Sequence, residues 1–555
     1  MFTLLSYDIR FACTKFFGCL ASARTLFSGY TLFMEVVVIG AGVGGLAAAI
    51  GLASRGVRVS VLEKNASIGG KLNVWEKDGF RFDTGPHVLT MLWALDEVFA
   101  NAGRRLEDVL DLVKLPTVCR YHFESGETLD APGSLEEAAH AIQEFAPADE
   151  AGFRRFLDYA KQVSDATTEP FLKQDFGASV RGVPTSAQWG QLSGFLALKP
   201  WKTLREVVQE HFTDPRLRQV FELYALYSGS HPARASGIFA TVADVQWRDG
   251  TFYVRGGLYQ LAEALKKAAE SLGVKFRTEM AVSEIIVKNG VARGVETVAG
   301  ERIFADAVVC NADALSAMTT LIPRSARRQW TAPRVRKIEP STSAFLLLLG
   351  VEGEYPQLAH HNSFLAADGD AEFSSIFDAQ VPAEDPTIGV ACQSVSDPTK
   401  APPGCTNLFV MTNPPALGPN FDWETEAPFY RETVLAKLER MGLTNLRERI
   451  KVEQMWTPLN LESRYSAYRG AIYGLSSNGW RQGFLRPPQV SPDVQGLYFV
   501  GGSTHPGGGI PLCALSGTNV AKRIAGLSKS VGVARLPDPP KSALINNGQR
   551  CRTKS

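Results

Sequence analysis

Hydrophobic residues change their spacing several times along the chain, and each change marks an element. Val36-Val37-Val38-Ile39 is a continuous apolar run, as a strand buried on both faces requires. A glycine-rich turn follows at once. Leu46, Ala49, Ile50 and Ala53 then recur at helical spacing and predict a helix over 46–55. Gly56 stands where a helix end favours a left-handed residue. Val57, Val59 and Val61 alternate with polar neighbours into a second strand that ends at Glu63. Together these pieces make one βαβ unit.

Helical, amphipathic spacing predominates from about 120 to 245, most clearly over 135–145 and 153–163. Gly256-Gly257 opens a helix carrying Leu261, Leu265 and Ala268, which ends near Gly273. Strand patterns follow at 274–278, 281–288 and 291–297, the last two joined by Asn289-Gly290, a pair suited to a tight hairpin. The run 304–312 reads as a strand returning to the first sheet. Residues 320–465 supply apolar strands, with 344–351 the richest, and a helix over 429–441, interrupted by proline loops such as 414–419. A strand before Gly501 runs into a glycine-dense loop, then a helix through Ala514, Ser516 and Asn519. No internal repeat is visible.

Composition narrows the class. A chain of 555 residues, 45% hydrophobic and 21% charged, suits two large globular domains and excludes collagen, disorder and disulfide scaffolds. The net charge is +1, which gives no drive towards nucleic acid. The ends are nevertheless basic: residues 1–33 carry Arg10, Lys15 and Arg24 against Asp8, and 526–555 carry six cations against Asp538, so the body is acidic. Met34 is expected to be the start, with 1–33 an extension, because a core strand begins directly after it. The eight cysteines are scattered, with no zinc spacing, so no metal site is expected and the thiols read as reduced, in a cytoplasmic enzyme. No stretch reaches the roughly 20 apolar residues of a membrane-spanning helix.

The chemistry concentrates at the glycine turn, Gly40-Ala41-Gly42-Val43-Gly44-Gly45. Gly40 permits the tight turn, Gly42 lets backbone approach a diphosphate, and Gly45 lets the helix pack against the sheet. The helix N-terminus then offers N–H groups and a positive dipole end to the phosphates. Glu63, 23 residues beyond Gly40, ends the second strand where a carboxylate can accept both ribose hydroxyls. The fingerprint alone leaves FAD and NAD open.

Three further motifs decide between them by resemblance. Ser67-Ile68-Gly69-Gly70-Lys71, Phe82-Asp83-Thr84-Gly85-Pro86-His87 and Gly501-Gly502-Ser503-Thr504-His505-Pro506-Gly507-Gly508-Gly509-Ile510-Pro511 resemble the FAD signatures of the flavin amine-oxidase and carotenoid-desaturase superfamily, over roughly 34–525. The resemblance implies an α/β fold: a Rossmann-like FAD-binding domain of that type with an inserted α+β substrate domain. The FAD-binding domain takes 34–120, 248–318 and 466–525. The substrate- and membrane-facing domain takes 121–247 and 319–465, and 526–555 forms a basic flexible tail.

The resemblance also implies site residues. Gly40, Gly42, Gly44, Gly45, Glu63, Lys64, Gly69, Gly70, Lys71, Asp83, Thr84, Gly85 and Pro86 would serve the dinucleotide half, and Val282 would meet the adenine through its backbone. Gly501, Gly502 and Ser503 would approach the ribityl–diphosphate region, with Gly509 and Ile510 at the flavin. His505 would either assist proton removal or hold its loop. No second Gly-x-Gly-x-x-Gly unit is present, so the enzyme is expected to oxidise its substrate and pass electrons to a quinone or oxygen.

Substrate follows from two stretches, Pro200-Trp201-Lys202-Thr203-Leu204 through Phe221 and on to Tyr227-Ser228-Gly229-Ser230-His231-Pro232, and Pro511-Leu512-Cys513-Ala514-Leu515-Ser516-Gly517. They are most similar to 3,4-desaturases of 1-hydroxy or 1-methoxy acyclic carotenoids; phytoene or diapophytoene desaturases, or an oxygenase relative, are the alternatives. A non-catalytic alternative is isoprenoid binding of the Rab-escort type. Such a substrate implies peripheral membrane association, and Leu192, Phe195, Leu196, Leu198 and Trp201, flanked by Lys199, Lys202 and Arg205, are the expected docking face. His231 is expected to be structural.

Overall fold

The computed structural model describes residues 34–173, 201–479, 482 and 486–530. The expectations placed on 1–33, on 192–200 and on the tail beyond 530 lie outside the described residues.

The strand Glu35–Ile39 is central to a parallel sheet of five, in the order Leu497–Phe499, Ala307–Cys310, Glu35–Ile39, Arg58–Leu62, Lys275–Arg277. Helices cover such a sheet, so its strands are apolar throughout: Val36, Val37 and Val38 are all buried. The helix Val43–Ala53 begins three residues before its apolar spacing does, because Gly42 is its N-cap and the glycines at 44 and 45 are helical. Gly56 takes φ +81°, as its position demands.

The long closing helix, Ile510–Ser530, lies against Val43–Ala53. Small residues set that approach. A Cβ on Gly517 would sit 2.6 Å from the Ala48 nitrogen and 2.8 Å from the Ala47 Cβ, and one on Gly51 would sit 2.7 Å from the Ala521 Cβ. A three-stranded antiparallel flap, Val282–Lys288, Val291–Thr297 and Arg302–Phe304, turns at Asn289 and Gly290, both at positive φ.

The second large element is a seven-stranded sheet ordered Ile450–Trp456, Phe345–Glu352, Cys405–Thr412, Ile388–Ala391, His361–Phe364, Thr117–His122, Thr128–Pro132. It takes up the chain at Thr117, slightly ahead of residue 120. Two strands therefore stand at the start of a region whose spacing is otherwise helical. Their pairing explains it: Thr117–His122 lies parallel to His361–Phe364, and Val118, Tyr121, Leu129 and Ala131 bury one face. The helices Glu150–Thr167, Leu204–His211 and Pro215–Glu222 pack over this end around Phe153, Phe156, Phe212, Phe221 and Trp247. The helix predicted over 429–441 begins earlier, at Trp423. Asp422 caps it, its side chain accepting the Glu424 N–H, and Pro428 sits inside.

A cavity of about 880 Å³ opens between the carboxyl ends of the parallel strands, the seven-stranded sheet and the helical layer. Open parallel sheets bind ligands at this edge.

Candidate functional site

The first wall of the cavity is the glycine turn. Gly40, Gly42 and Gly44 line it, while Gly45 stands behind, where a Cβ would collide with the Gly40 carbonyl oxygen. Facing them, Gly69 and Gly70 have φ +102° and +62°, and a Cβ on Gly70 would lie 3.3 Å from the Gly42 Cα. Two stretches of bare backbone thus form one side of a groove.

Glu63 closes the end of this groove. Its Oε2 accepts the Ala41 N–H at 2.8 Å, and its Oε1 accepts the Asn65 N–H and Nδ2, each at 2.9 Å. These bonds fix the carboxylate and leave Oε2 a further lone pair. Lys64 donates to the Ser463 carbonyl at 2.8 Å and the Ser466 hydroxyl at 2.9 Å, and burial lowers its pKa despite Glu63. Val282 lines the same end.

Thr84, Gly85 and Pro86 line the cavity; Asp83 does not. Asp83 accepts from the Leu258 N–H (2.9 Å), the Tyr259 N–H (3.3 Å) and Gln393 Nε2 (2.6 Å), with Lys400 Nζ at 3.7 Å. It holds the start of the helix Tyr259–Ser271 behind the wall. Gly85 is needed because a Cβ there would strike the Lys71 carbonyl.

The other end is built on the second glycine loop. Gly501, Gly502, Ser503, Gly509 and Ile510 line the cavity. Ser503 Oγ accepts the Ala314 N–H at 2.7 Å, tying the loop to the helix Ala314–Thr320. Asn311 wedges between the two loops: Cβ atoms on Gly44 or Gly501 would each stand 2.7 Å from its Oδ1.

Two cations flank this end, Arg486 buried and Lys71 partly buried. Lys71 Nζ donates to the Ile472 carbonyl, and Arg486 Nη2 donates to the Tyr473 and Leu475 carbonyls at 3.2 and 3.1 Å. Burial lowers both, Arg486 to about 10, against the opposing pull of Asp313. Asp313 is itself raised by burial and accepts the Leu315 and Ser316 N–H groups.

His505 does not reach the wall. It is buried, with Nε2 2.7 Å from the Phe171 carbonyl oxygen and its ring edge-on to Phe171. The geometry is that of a residue holding its loop, not of a base facing substrate. His231, between Phe373 and Phe377, accepts the Ala233 N–H on Nδ1.

The remainder of the cavity is an apolar arm. Phe171, Leu172, Leu226, Ile238, Phe239 and Val242 face Leu346, Phe409 and Met411. Two imidazoles interrupt it, His87 and His361, which burial lowers to about 3 and about 4, so both are neutral. Of the expected docking face, Trp201 is 63% exposed, while Lys202 pairs with Glu210 and Arg205 with Glu222. No helix among the described residues is long and apolar enough to cross a membrane, and none of their His, Cys, Asp and Glu side chains form a metal cluster.

Asn311, Arg486, Tyr465 and Tyr473 also line the cavity and were not read from sequence. Asn311 left a trace, a polar residue just past a strand that returns to the sheet. The others stand on loops and short helices whose position depends on the packed fold.

Residues 43–525 match the model of the flavin-containing amine oxidoreductases. The chain is 37% identical over 494 residues to a 4,4'-diapolycopene oxygenase of a Methylomonas species, covering 88% of this chain and 98% of that one. It is 33% identical over 495 residues to a 4,4'-diaponeurosporene oxygenase of Staphylococcus aureus, with the same coverage. Among solved structures, an oxidoreductase from Methanosarcina mazei superposes with a TM-score of 0.60 at 18% identity, covering 88% of this chain and all of that one. Cyclohexylamine oxidase from Brevibacterium oxydans gives 0.57 at 17% identity, covering 90% of this chain and all of that one. These two likenesses concern the fold.

Proposed function

This chain belongs to the family of flavin-containing amine oxidoreductases, and we propose that it is the member that oxidises an acyclic carotenoid. It is an FAD-dependent oxidoreductase. The observation that carries the substrate reading is the continuity of the cavity, which runs from the glycine groove and Glu63, past the second glycine loop, into an arm walled by Leu, Ile, Val, Phe and Met.

The residues fit FAD. Bare backbone at Gly42 and Gly70 leaves room for a diphosphate, and Arg486 Nε, a buried donor on the wall beside the second glycine loop, has no hydrogen-bond partner among the described residues. In our reading Gly40, Gly42 and Gly44 with the following helix N-terminus hold the diphosphate, and Glu63 the adenosine ribose. Val282 meets the adenine, Gly69, Gly70, Lys71, Thr84, Gly85 and Pro86 line the middle, and Gly501, Gly502, Ser503, Gly509 and Ile510 the flavin. Gly45 and Asp83 act from behind the wall.

Bound FAD supplies acceptance of a hydride equivalent from a substrate C–H bond. The chain does the rest. The apolar arm holds an extended polyene and excludes water, the second glycine loop fixes the reacting end, and Asn311 sets the separation of the two loops. Electrons would pass on to a quinone or oxygen. Substrate would be drawn from a membrane surface at which the protein docks, with Trp201 on the docking side.

The finer reading is 3,4-desaturation of 1-hydroxy or 1-methoxy acyclic carotenoids, supported by the sequence likeness around Tyr227–Pro232. A second reading, oxygenation at a chain end, is favoured by the names of the two relatives. Co-expression with enzymes that make phytoene, neurosporene, 1-hydroxylated carotenoids or C30 polyenes, followed by pigment analysis, separates them. New double bonds in the hydroxylated series support the first, and terminal aldehydes the second. An unchanged pigment in every strain would end the carotenoid reading.

A further inference from the structure

The apolar arm carries two phenols that the activity proposed above leaves without a task. Tyr227 lines the cavity and is 42% exposed. Its oxygen accepts the Gln246 Nε2 at 2.8 Å, and its own O–H meets no acceptor among the described residues. Tyr473 lies across the second glycine loop, so close that a Cβ on Gly508 would stand 2.5 Å from its Cδ1. Its backbone is fixed from both sides, the N–H donating to Ser341 Oγ at 3.0 Å and the carbonyl accepting from Arg486. Its hydroxyl also has no partner among the described residues.

Packing alone does not account for these hydroxyls. Phenylalanine would fill the same volume, and a polar group left unpaired in a dry site costs about 1–3 kcal/mol. Gln246 occupies one lone pair of Tyr227 and leaves its proton for the cavity. Burial raises both phenols, Tyr473 to about 12, so each stays protonated at neutral pH, able to donate to a carbonyl or to exchange a hydrogen bond with an alcohol.

We propose that Tyr227 and Tyr473 form an oxygen-binding subsite, which holds a hydroxyl or carbonyl oxygen carried by the polyene at the end next to the second glycine loop. The proposal rests on the carotenoid reading and deepens it, because it names the kind of end group the cavity selects. An unsubstituted hydrocarbon leaves both hydroxyls unpaired. A polyene alcohol or aldehyde satisfies them.

The test is ligand binding to the FAD-loaded full chain, followed by flavin fluorescence, with a linear polyene hydrocarbon and its terminal alcohol and aldehyde of equal length. The unsubstituted protein should bind the oxygenated pair about tenfold or more tightly than the hydrocarbon. Tyr227→Phe and Tyr473→Phe should each remove about tenfold of affinity for the oxygenated pair and leave hydrocarbon affinity within a factor of about two. Should Tyr473→Phe fail to load FAD, Gln246→Leu, which removes the bond that orients Tyr227, should weaken the oxygenated ligands selectively. Equal losses for all three ligands, or no loss for any, would overturn the subsite. If the unsubstituted protein binds none of the three, the carotenoid reading itself falls, and that result needs no variant.

Discussion

The imidazole of His505 and the carbonyl of Phe171 are 2.7 Å apart, although 334 residues separate them in the chain. Asn519 Nδ2 reaches the next carbonyl, Leu172, at 3.0 Å. The second glycine loop and the closing helix thus grip the end of the helical layer where it enters the cavity wall. His505→Ala should lower the melting temperature and raise KM while kcat falls by less than about tenfold. A proton-accepting role would instead cost about 10²–10⁴ in kcat and remove a limb of the pH profile. Steady-state kinetics across pH decide between them.

Glu63 is expected to govern cofactor affinity. Glu63→Ala removes a charged acceptor and strands the Ala41 N–H, and hydrogen bonds to charged groups are worth about 1.5–3 kcal/mol. FAD should bind about one to two decades more weakly. Equilibrium dialysis of the variant gives the number; an unchanged dissociation constant would take Glu63 out of the site.

Gly517→Ala should be among the most damaging single-methyl changes in the protein. The added carbon would meet the Gly44 carbonyl, the Ala48 nitrogen and the Ala47 Cβ at once. Overpacking of a rigid interface typically costs about 1–3 kcal/mol, and here the strain falls on the turn that faces the diphosphate. Urea unfolding should show the loss of stability, and a raised fraction of flavin-free protein should accompany it. Gly526→Ala, in open space on the same helix, is the control and should be near neutral.

How much of this was legible in the sequence depends on whether local spacing or distant pairing determined each element. The βαβ unit was legible because Val36–Ile39, the glycine spacing and Glu63 act over 30 residues. The hairpin at Asn289-Gly290 was legible because the turn chemistry is local. Thr117–His122 was not: its strand character comes from His361–Phe364, far along the chain. Asp83 sits inside a recognisable motif, yet spacing could not show that it faces Leu258 and Gln393 instead of the ligand. Arg486, Tyr465 and Tyr473 have no periodic signal at all; only the folded loops bring them to one wall.

Glu372 should give stability a pH dependence of known sign. Its carboxylate is buried and accepts the Thr387 N–H at 2.7 Å and hydroxyl at 2.6 Å; desolvation raises its pKa to about 7 despite those bonds. The folded state therefore holds the proton more tightly than the unfolded state. The contribution is fully present below about pH 4.5 and is lost as pH rises through 7, by up to about 3 kcal/mol. Glu372→Gln should gain on the unsubstituted protein between pH 5 and pH 8 in paired urea titrations. A constant difference would show that the carboxyl is not protonated in the fold.

The interleaving of the parallel sheet has a consequence for biosynthesis. The helix Val43–Ala53 leaves the ribosome 457 residues before Ile510, the first residue of the helix that covers it. At about 5–20 residues per second, that interval is roughly 20–90 s. Throughout it, the small-residue face made of Ala47, Ala48 and Gly51 has no cover, and the sheet lacks the strand Leu497–Phe499. The glycine groove can be finished only after translation has nearly ended, which makes cofactor capture a late event of assembly.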